Sequence, residues 1–155
     1  MTKNARILIV FLGLFNFILS GVVQPVEVVL PDVNNFFGER VSLSQPQSSK
    51  IGKLRLSVQL PTDYKLLVKA NPQVHLFTLD GKFSKRISFK ETSVVVPINR
   101  EILSDKIYVE LALYYCKQGK EGLCLIKKVL FDVPIQKGRK AEEFILNYQV
   151  PEVVK

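Results

Sequence analysis

Histidine and cysteine are scarce in this sequence of 155 residues. It contains one histidine, His75, and two cysteines, Cys116 and Cys124. A single histidine excludes a multi-histidine metal site and argues against a catalytic triad, so we expect His75 to occupy an ordinary, partly exposed strand position. The sequence also lacks a glycine-rich phosphate loop and the C-x-x-C motif. We therefore predict no metal, no cofactor and no nucleotide site.

Acidic residues are in the minority, and they form no catalytic pattern. The 14 acidic residues are outnumbered by 22 lysines and arginines, which gives a formal net charge of +8. The lysines alternate with apolar residues or cluster in polar segments, which is typical of a solvated face. Neither a stacking platform nor a grooved motif accompanies them, so we expect no nucleic-acid partner. Four aspartates have the positions expected of turn or strand-end residues: Asp63, Asp80, Asp105 and Asp132.

No hydrophobic run reaches the roughly 20 residues of a comfortable membrane span. The longest run, from Ile7 to Leu19, follows Lys3 and Arg6 and ends in small residues. This layout predicts a secretory signal sequence over residues 1–21, with an uncleaved membrane anchor as the alternative. We therefore expect an exported protein, periplasmic or extracellular, which the anchor alternative would attach to the membrane. Without Lys3 and Arg6, 20 basic residues still face 14 acidic ones.

Short alternating segments dominate the chain after the predicted signal. Residues 22–50 contain three prolines and a polar cluster, which predicts edge strands and a linker. From residue 51 onward apolar and polar residues alternate with the period of β-strands, and no helical period is sustained. The clearest such segments are GKLRLSVQL (52–60), KRISFK (85–90), SVVVPI (93–98) and EEFILNYQV (142–150).

These patterns predict an all-β fold with one domain. With 47% hydrophobic residues, the chain has enough apolar side chain for one core of ordinary size. About seven short strands in about 100 residues favour an immunoglobulin-like antiparallel β-sandwich over residues 51–155. The N-terminal signal or anchor helix would precede it.

The longest β pattern contains both cysteines. KIYVELALYYC (106–116) and CLIKKVLFDVPI (124–135) flank the polar segment KQGKEGL, whose glycines suit a chain reversal. Pairing Cys116 with Cys124 places Leu111 opposite Val129, and the pairs that follow it on this face are apolar as well. A slip of one residue would turn one strand's apolar set outward, so the hydrophobic pattern supports this register independently of the cysteines. One mismatch remains, because Lys127 then lies opposite Leu113.

The facing cysteines have two interpretations at this point. Directly opposed strand residues are close enough for a disulfide, which would draw the two strands together. A structural staple, or two small buried side chains, is the usual role of such cysteines. Alternatively, nearby cations favour a reactive thiolate. The lysines at 117, 120, 127 and 128 flank the pair, and Glu121 partly offsets them.

Two stretches of the sequence resemble known domains. LPTDYKL (60–66) and YYCKQGKEGLC (114–124) are similar to the C-terminal β-domain of NHL-repeat thioredoxin-like proteins. They resemble, more distantly, the N-terminal immunoglobulin-like domain of the thiol:disulfide interchange protein DsbD. The resemblance covers about residues 52–150 and implies a β-sandwich. In the DsbD-type domain a hairpin cysteine pair exchanges its disulfide with partner proteins, a role that would fall on Cys116 and Cys124.

The resemblance leaves two functional hypotheses. In the first, Cys116 and Cys124 cycle between dithiol and disulfide and pass electrons to or from a thioredoxin-like partner. In the second, the disulfide is a fixed staple, and the protein is a non-enzymatic secreted interaction module. The spacing of the cysteines is wider than in the DsbD-type domain, and the chain has neither the thioredoxin-like module nor the propeller of the NHL-type relatives.

Overall fold

The computed structural model of the chain describes residues 30–119, 122–138 and 140–152. The predicted signal or anchor, residues 1–21, lies outside these ranges. Within them, no helix has the length and apolar character that crossing a membrane requires.

The described residues form ten β-strands and one short 3₁₀ helix. Most strands coincide with the alternating segments of the sequence, where every second side chain faces the core. Their bounds are β1 Glu39–Ser42, β2 Gln47–Ser48, β3 Ile51–Gln59, β4 Tyr64–Leu66, β5 Gln73–Phe77, β6 Ser84–Ser88, β7 Ser93–Pro97, β8 Lys106–Lys117, β9 Cys124–Gln136 and β10 Ala141–Gln149, with the 3₁₀ helix at Val68–Ala70.

The strands form two sheets. The larger sheet has the order β1-β9-β8-β5-β6, with β2 also paired to β9 and β4 also paired to β8. The smaller sheet has the order β10-β3-β7. Side chains from both sheets join one hydrophobic core, so the prediction of an all-β sandwich is confirmed.

Both sheets are mixed, so the expectation of a purely antiparallel sandwich is wrong in this detail. β1 and β2 run parallel to β9, and β10 runs parallel to β3. Every other pairing is antiparallel. The parallel pairs join segments that are distant in the chain, because a parallel neighbour needs a long connection rather than a tight turn.

The core lies between the sheets and follows the predicted alternation. In β3, Leu54 and Leu56 are completely buried, and in β10 Phe144 and Leu146 face the same interior. Aromatic rings also meet across the two sheets: those of Phe131 and Tyr148 lie edge to face with centroids 5.7 Å apart. The other buried core residues include Val74, Leu76, Val96, Ile107, Val109, Leu111, Leu113, Val129 and Val133.

A second, smaller cluster covers part of the opposite side of the larger sheet. We call this side, which faces away from the smaller sheet, the outer face. There Val33 packs on Phe77, Tyr108 and Leu130. The segment before β1 therefore shields the outer face near the start of β8, whereas the cysteines lie at the far end of β8.

Asp132 is not the turn or strand-end residue that the sequence indicated. It lies inside β9 on the outer face and is 7% exposed. Its Oδ2 accepts a hydrogen bond of 3.0 Å from Nη2 of Arg40, on the neighbouring strand β1. A buried carboxylate needs such a partner, because burying an unpaired charge is costly.

Candidate functional site

The two cysteines face each other across the β8–β9 hairpin and form a disulfide. Cys116 is in register with Cys124, and the register continues through Leu111 opposite Val129, as the hydrophobic pattern predicts. The cysteine Cα atoms are 4.0 Å apart, with a sequence separation of 8. The predicted register and the close approach of the cysteines are therefore confirmed.

The disulfide occupies the closer of the two kinds of residue pair that alternate along antiparallel strands. The next pair toward the turn is hydrogen-bonded, because the amide of Lys117 donates to the carbonyl of Leu123 over 2.9 Å. Hydrogen-bonded and non-hydrogen-bonded pairs alternate along an antiparallel ladder, and the latter have the shorter Cα separation. Cys116 and Cys124 are thus a non-hydrogen-bonded pair, which brings the two sulfurs together.

Strand alternation places the disulfide on the outer face. Leu113 and Tyr115 point into the core, whereas Tyr114 and Cys116 point the other way. Cys116 is half-buried and Cys124 is exposed. The disulfide is therefore outside the core, and Cys124 is the more exposed of its two residues.

Neighbouring strands explain the difference in exposure between the two cysteines. On the side of β8 away from β9, strand β4 pairs with the end of β8, and Lys65 is in register with Cys116. On the far side of β9, strand β1 first pairs at Val129 and β2 at Ile135. Within the described residues, Cys116 thus has a strand on both sides and Cys124 on one side only.

A turn fixes the position of Lys65. It lies in LPTDYKL, one of the two stretches that resemble known domains. The amide of Tyr64 donates to the carbonyl of Pro61 over 3.2 Å, and Asp63 has a φ of 67°. Aspartate is among the few residues that tolerate this left-handed conformation. The carbonyl of Asp63 then accepts a hydrogen bond from the amide of Gln118 over 2.7 Å, which ties the turn to β8.

The cations around the disulfide differ from those that the sequence indicated. Lys65 lies beside Cys116 on the outer face, and no local pattern in the sequence shows that β4 pairs with β8. Lys127 lies on the opposite face, since its register partner is the core residue Leu113. Lys117 also alternates away from the outer face. Lys120 and Glu121 lie outside the described residues.

Lys127, the mismatch in the predicted register, belongs to an ion pair at the margin of the core. Its Nζ lies 2.7 Å from Oε2 of Glu39, and the hydroxyl of Tyr148 donates to the same oxygen over 2.7 Å. The hydrogen bond from Lys127 is the main cause that lowers the pKa of Glu39. Burial, together with the hydrogen bond to Glu39, raises the pKa of Tyr148. The lysine is thus held at the edge of the core, away from the sulfurs.

Exposed apolar side chains flank Cys124. Leu123 precedes it and is 51% exposed, and Ile126 on the same face is 66% exposed. Tyr114 lies opposite Ile126 and is half-buried. The disulfide is thus bordered by apolar surface that a protein partner would cover on contact.

A polar depression of about 190 Å³ continues along the outer face from Tyr114. His75 lines it and is only 4% exposed, so the expectation of a partly exposed histidine is wrong. Its Nε2 lies 2.9 Å from Oγ of Ser84, and Nη2 of Arg86 lies 3.2 Å from its Nδ1. Because an arginine only donates, Nδ1 accepts and Nε2 carries the proton in the neutral ring. This histidine is a satisfied structural residue with no contact to the disulfide.

No metal site accompanies the disulfide in the described part of the chain. No three histidine, cysteine, aspartate or glutamate residues lie close enough there to hold an ion. Both sulfurs, the most suitable ligands for a soft metal, are already bonded to each other. The chemistry available to this site is therefore that of the disulfide itself.

No protein-family model matches the chain. A search of curated proteins likewise returns no match.

Proposed function

We propose that the protein is an exported thiol-disulfide exchange module that passes electrons to or from a thioredoxin-like partner through Cys116 and Cys124. The observation that carries the proposal is the location of the disulfide. It lies at the exposed end of the hairpin, outside the core, with Cys124 open to solvent. A structural staple needs no such access, whereas exchange requires a sulfur that an incoming thiolate can reach.

The surroundings of the disulfide support a protein as the exchange partner. Ile126 is exposed on the same face as Cys124, so a docked partner would bury apolar surface beside the reacting sulfur. The thioredoxin-like character of that partner rests on the resemblance of the cysteine hairpin to the DsbD-type domain. A disulfide is also compatible with an oxidising, exported compartment.

The exchange proceeds in two substitutions at sulfur. A partner thiolate attacks Sγ of Cys124, the Cys116–Cys124 bond breaks, and Cys116 leaves as a thiolate. The second partner thiolate then attacks the partner's sulfur in the mixed disulfide, and Cys124 leaves as a thiolate. Both thiolates take protons from solvent. Two electrons have then passed from the partner's dithiol, now a disulfide, to this protein, and the reverse sequence passes them back.

Equilibration with glutathione buffers tests whether the disulfide is exchangeable. Exposed disulfides have higher reduction potentials than structural ones, which typically lie below about −300 mV. We expect the Cys116–Cys124 pair to equilibrate above that value. A potential well below it would contradict exchange and favour the second hypothesis, a secreted interaction module with a structural staple.

Trapping a mixed disulfide tests which sulfur reacts. Cys116→Ser leaves the exposed Cys124 as the only thiol, and Cys124→Ser is its matched control. Mixed with a thioredoxin-fold protein that lacks its resolving cysteine and carries an activated disulfide, Cys116→Ser should form the covalent complex faster. If neither variant forms a complex at a rate above that of a small exposed thiol such as glutathione, the exchange proposal is wrong.

A further inference from the structure

We propose that Lys65 is a positioning residue that stabilises the Cys116 thiolate and so makes Cys116 the leaving group of the exchange. This inference rests on the exchange function proposed above, and it concerns a residue outside the hairpin. It assigns a role to the strand β4, Tyr64–Leu66, which lies against the end of β8.

The strand register places the charge of Lys65 beside one sulfur and away from the other. Lys65 and Cys116 are directly opposite each other in adjacent antiparallel strands, so their side chains share the outer face. The amide of Leu67 donates to the carbonyl of Tyr114 over 2.7 Å, two residues along this ladder. Lys65 and Cys116 therefore form a hydrogen-bonded pair, for which the Cα separation is about 5.5 Å.

Cys124 is one strand further from the lysine than Cys116 is. Adjacent strands lie about 4.8 Å apart, so in the row Lys65–Cys116–Cys124 the backbone of the second cysteine is roughly twice as far from β4 as that of the first. Coulomb attraction falls with distance, and solvent screening steepens the fall. The ammonium group thus favours negative charge on Cys116 over Cys124.

Other ionisable groups near the disulfide do not reproduce this asymmetry. In the described residues, the nearest ones along the neighbouring elements are Asp63 before β4, Tyr64 on β4, Tyr114, Tyr115 and Lys117 on β8, and Lys127 and Lys128 on β9. Tyr115 points into the core, and Tyr64, in register with Lys117, shares the face of Lys117. Lys117 and Lys127 alternate to the opposite face of the sheet. Lys128 is four residues along the strand from Cys124, a distance of about 13 Å. Asp63 has the opposite charge and lies in the turn.

The position of Lys65 matters because of how a disulfide breaks. When a thiolate attacks Cys124, the electron pair of the broken sulfur–sulfur bond moves to Sγ of Cys116. A leaving thiol of lower pKa departs faster. The ammonium group of Lys65 offsets the developing charge without transferring a proton, so attack at the exposed sulfur becomes the faster route.

The thiolate equilibrium of Cys116 tests the proposal without any partner. In the reduced Cys124→Ser protein, Lys65→Gln should raise the pKa of Cys116 by about 0.5–1 unit, a three- to tenfold loss of thiolate. Lys65→Arg should restore the value. Lys69→Gln, a change at an exposed lysine of the 3₁₀ helix, is the matched control and should leave it unchanged. Thiolate absorbance against pH gives each value.

A second measurement tests the asymmetry between the two sulfurs. In the Cys116→Ser background, Lys65→Gln should shift the pKa of Cys124 by less than half the shift found for Cys116. In the otherwise unaltered full chain, reduction of the disulfide by dithiothreitol should slow several-fold with Lys65→Gln. That difference should shrink at high salt.

The outcomes separate this inference from the exchange function. Equal shifts at both cysteines, or no shift at Cys116, overturn the role of Lys65 even if glutathione equilibration and trapping support exchange. A second outcome is that the cysteine pKa values shift as expected, but the reduction potential is typical of a structural disulfide and no complex is trapped. This outcome overturns the exchange function and upholds the effect of Lys65 on Cys116. Slower reduction in Lys65→Gln but not in Lys65→Arg supports the role of Lys65, whereas support for exchange comes from glutathione equilibration and trapping.

Discussion

Reducing the disulfide should lower the stability of the protein without unfolding it. The Cys116–Cys124 bond closes a loop with a sequence separation of only 8. On the chain-entropy account, a cross-link of this length stabilises a fold by about 2.5 kcal/mol. Small domains have unfolding free energies of about 5–15 kcal/mol, so a loss of this size is within what the fold tolerates.

The rest of the hairpin should keep its register after reduction. β8 and β9 share eleven register pairs, and the disulfide is the last of them at the turn end. The pairs that bury core residues, such as Leu111 with Val129, lie further along and do not depend on the sulfurs. A shift in register would expose these apolar side chains, and this cost opposes any rearrangement.

Chemical denaturation measures the effect directly. The oxidised protein, the protein reduced with dithiothreitol and the double variant Cys116→Ala, Cys124→Ala should each unfold in one transition. The last two should have similar midpoints, with a free energy of unfolding about 2.5 kcal/mol or less below that of the oxidised form. Reduced protein that is already unfolded without denaturant, or that loses more than about 5 kcal/mol, would refute this account of the hairpin.

Three further predictions concern the sandwich. Phe131→Ala should cost about 3–5 kcal/mol in urea denaturation, because this fully enclosed ring leaves a cavity. The pKa of Glu39 is lower in the folded state than the ordinary glutamate pKa of about 4.3, so its ion pair with Lys127 stabilises the fold fully above that pH. This stabilisation is lost as the pH falls through the lowered pKa. Glu39→Gln should therefore flatten the acid limb of stability against pH. Arg40→Ala should lower the stability at neutral pH, because it leaves the buried Asp132 carboxylate without its ion-pair partner.

Matched variants on the same sheets check these three results. Ile126→Ala, at a strand position 66% exposed, should change stability by less than about 0.5 kcal/mol. Glu142→Gln, at a carboxylate 92% exposed, should leave the acid limb unchanged. If Arg40→Ala costs as much stability in an Asp132→Asn background as in the otherwise unaltered protein, the ion pair is not the cause, since asparagine has no charge.

Local patterns in the sequence predicted the hairpin well, for a physical reason. Register in an antiparallel hairpin depends on which residues alternate toward the core, and both strands contain that information within 31 consecutive residues, 106–136. The alternation from Ile107 to Leu113 therefore predicted the partner of each residue and placed the cysteines opposite each other. The burial of Leu54 and Leu56 in β3 followed from the same rule.

The features that the sequence did not predict depend on contacts with other strands, most of them distant in the chain. Nothing in the residues near Lys65 shows that they lie beside Cys116, about 50 positions later in the chain. The parallel pairing of β3 with β10 likewise leaves no local signal. His75 alternates like a surface residue, yet Ser84 and Arg86 on the next strand cover and hydrogen-bond its ring. Lys127 looked misplaced because its partner Glu39 is on β1.

The parallel pairing of the smaller sheet has a consequence for the order of folding. Phe144 meets Leu54 across 90 positions of the chain, whereas Cys124 meets Cys116 across 8. Contacts between distant segments form slowly because the loop between them must close first, and hairpins form within microseconds. The two thiols therefore come face to face before the two sheets can close on each other. The disulfide can therefore form on a nascent hairpin, while the last strand of the sandwich is still unpaired.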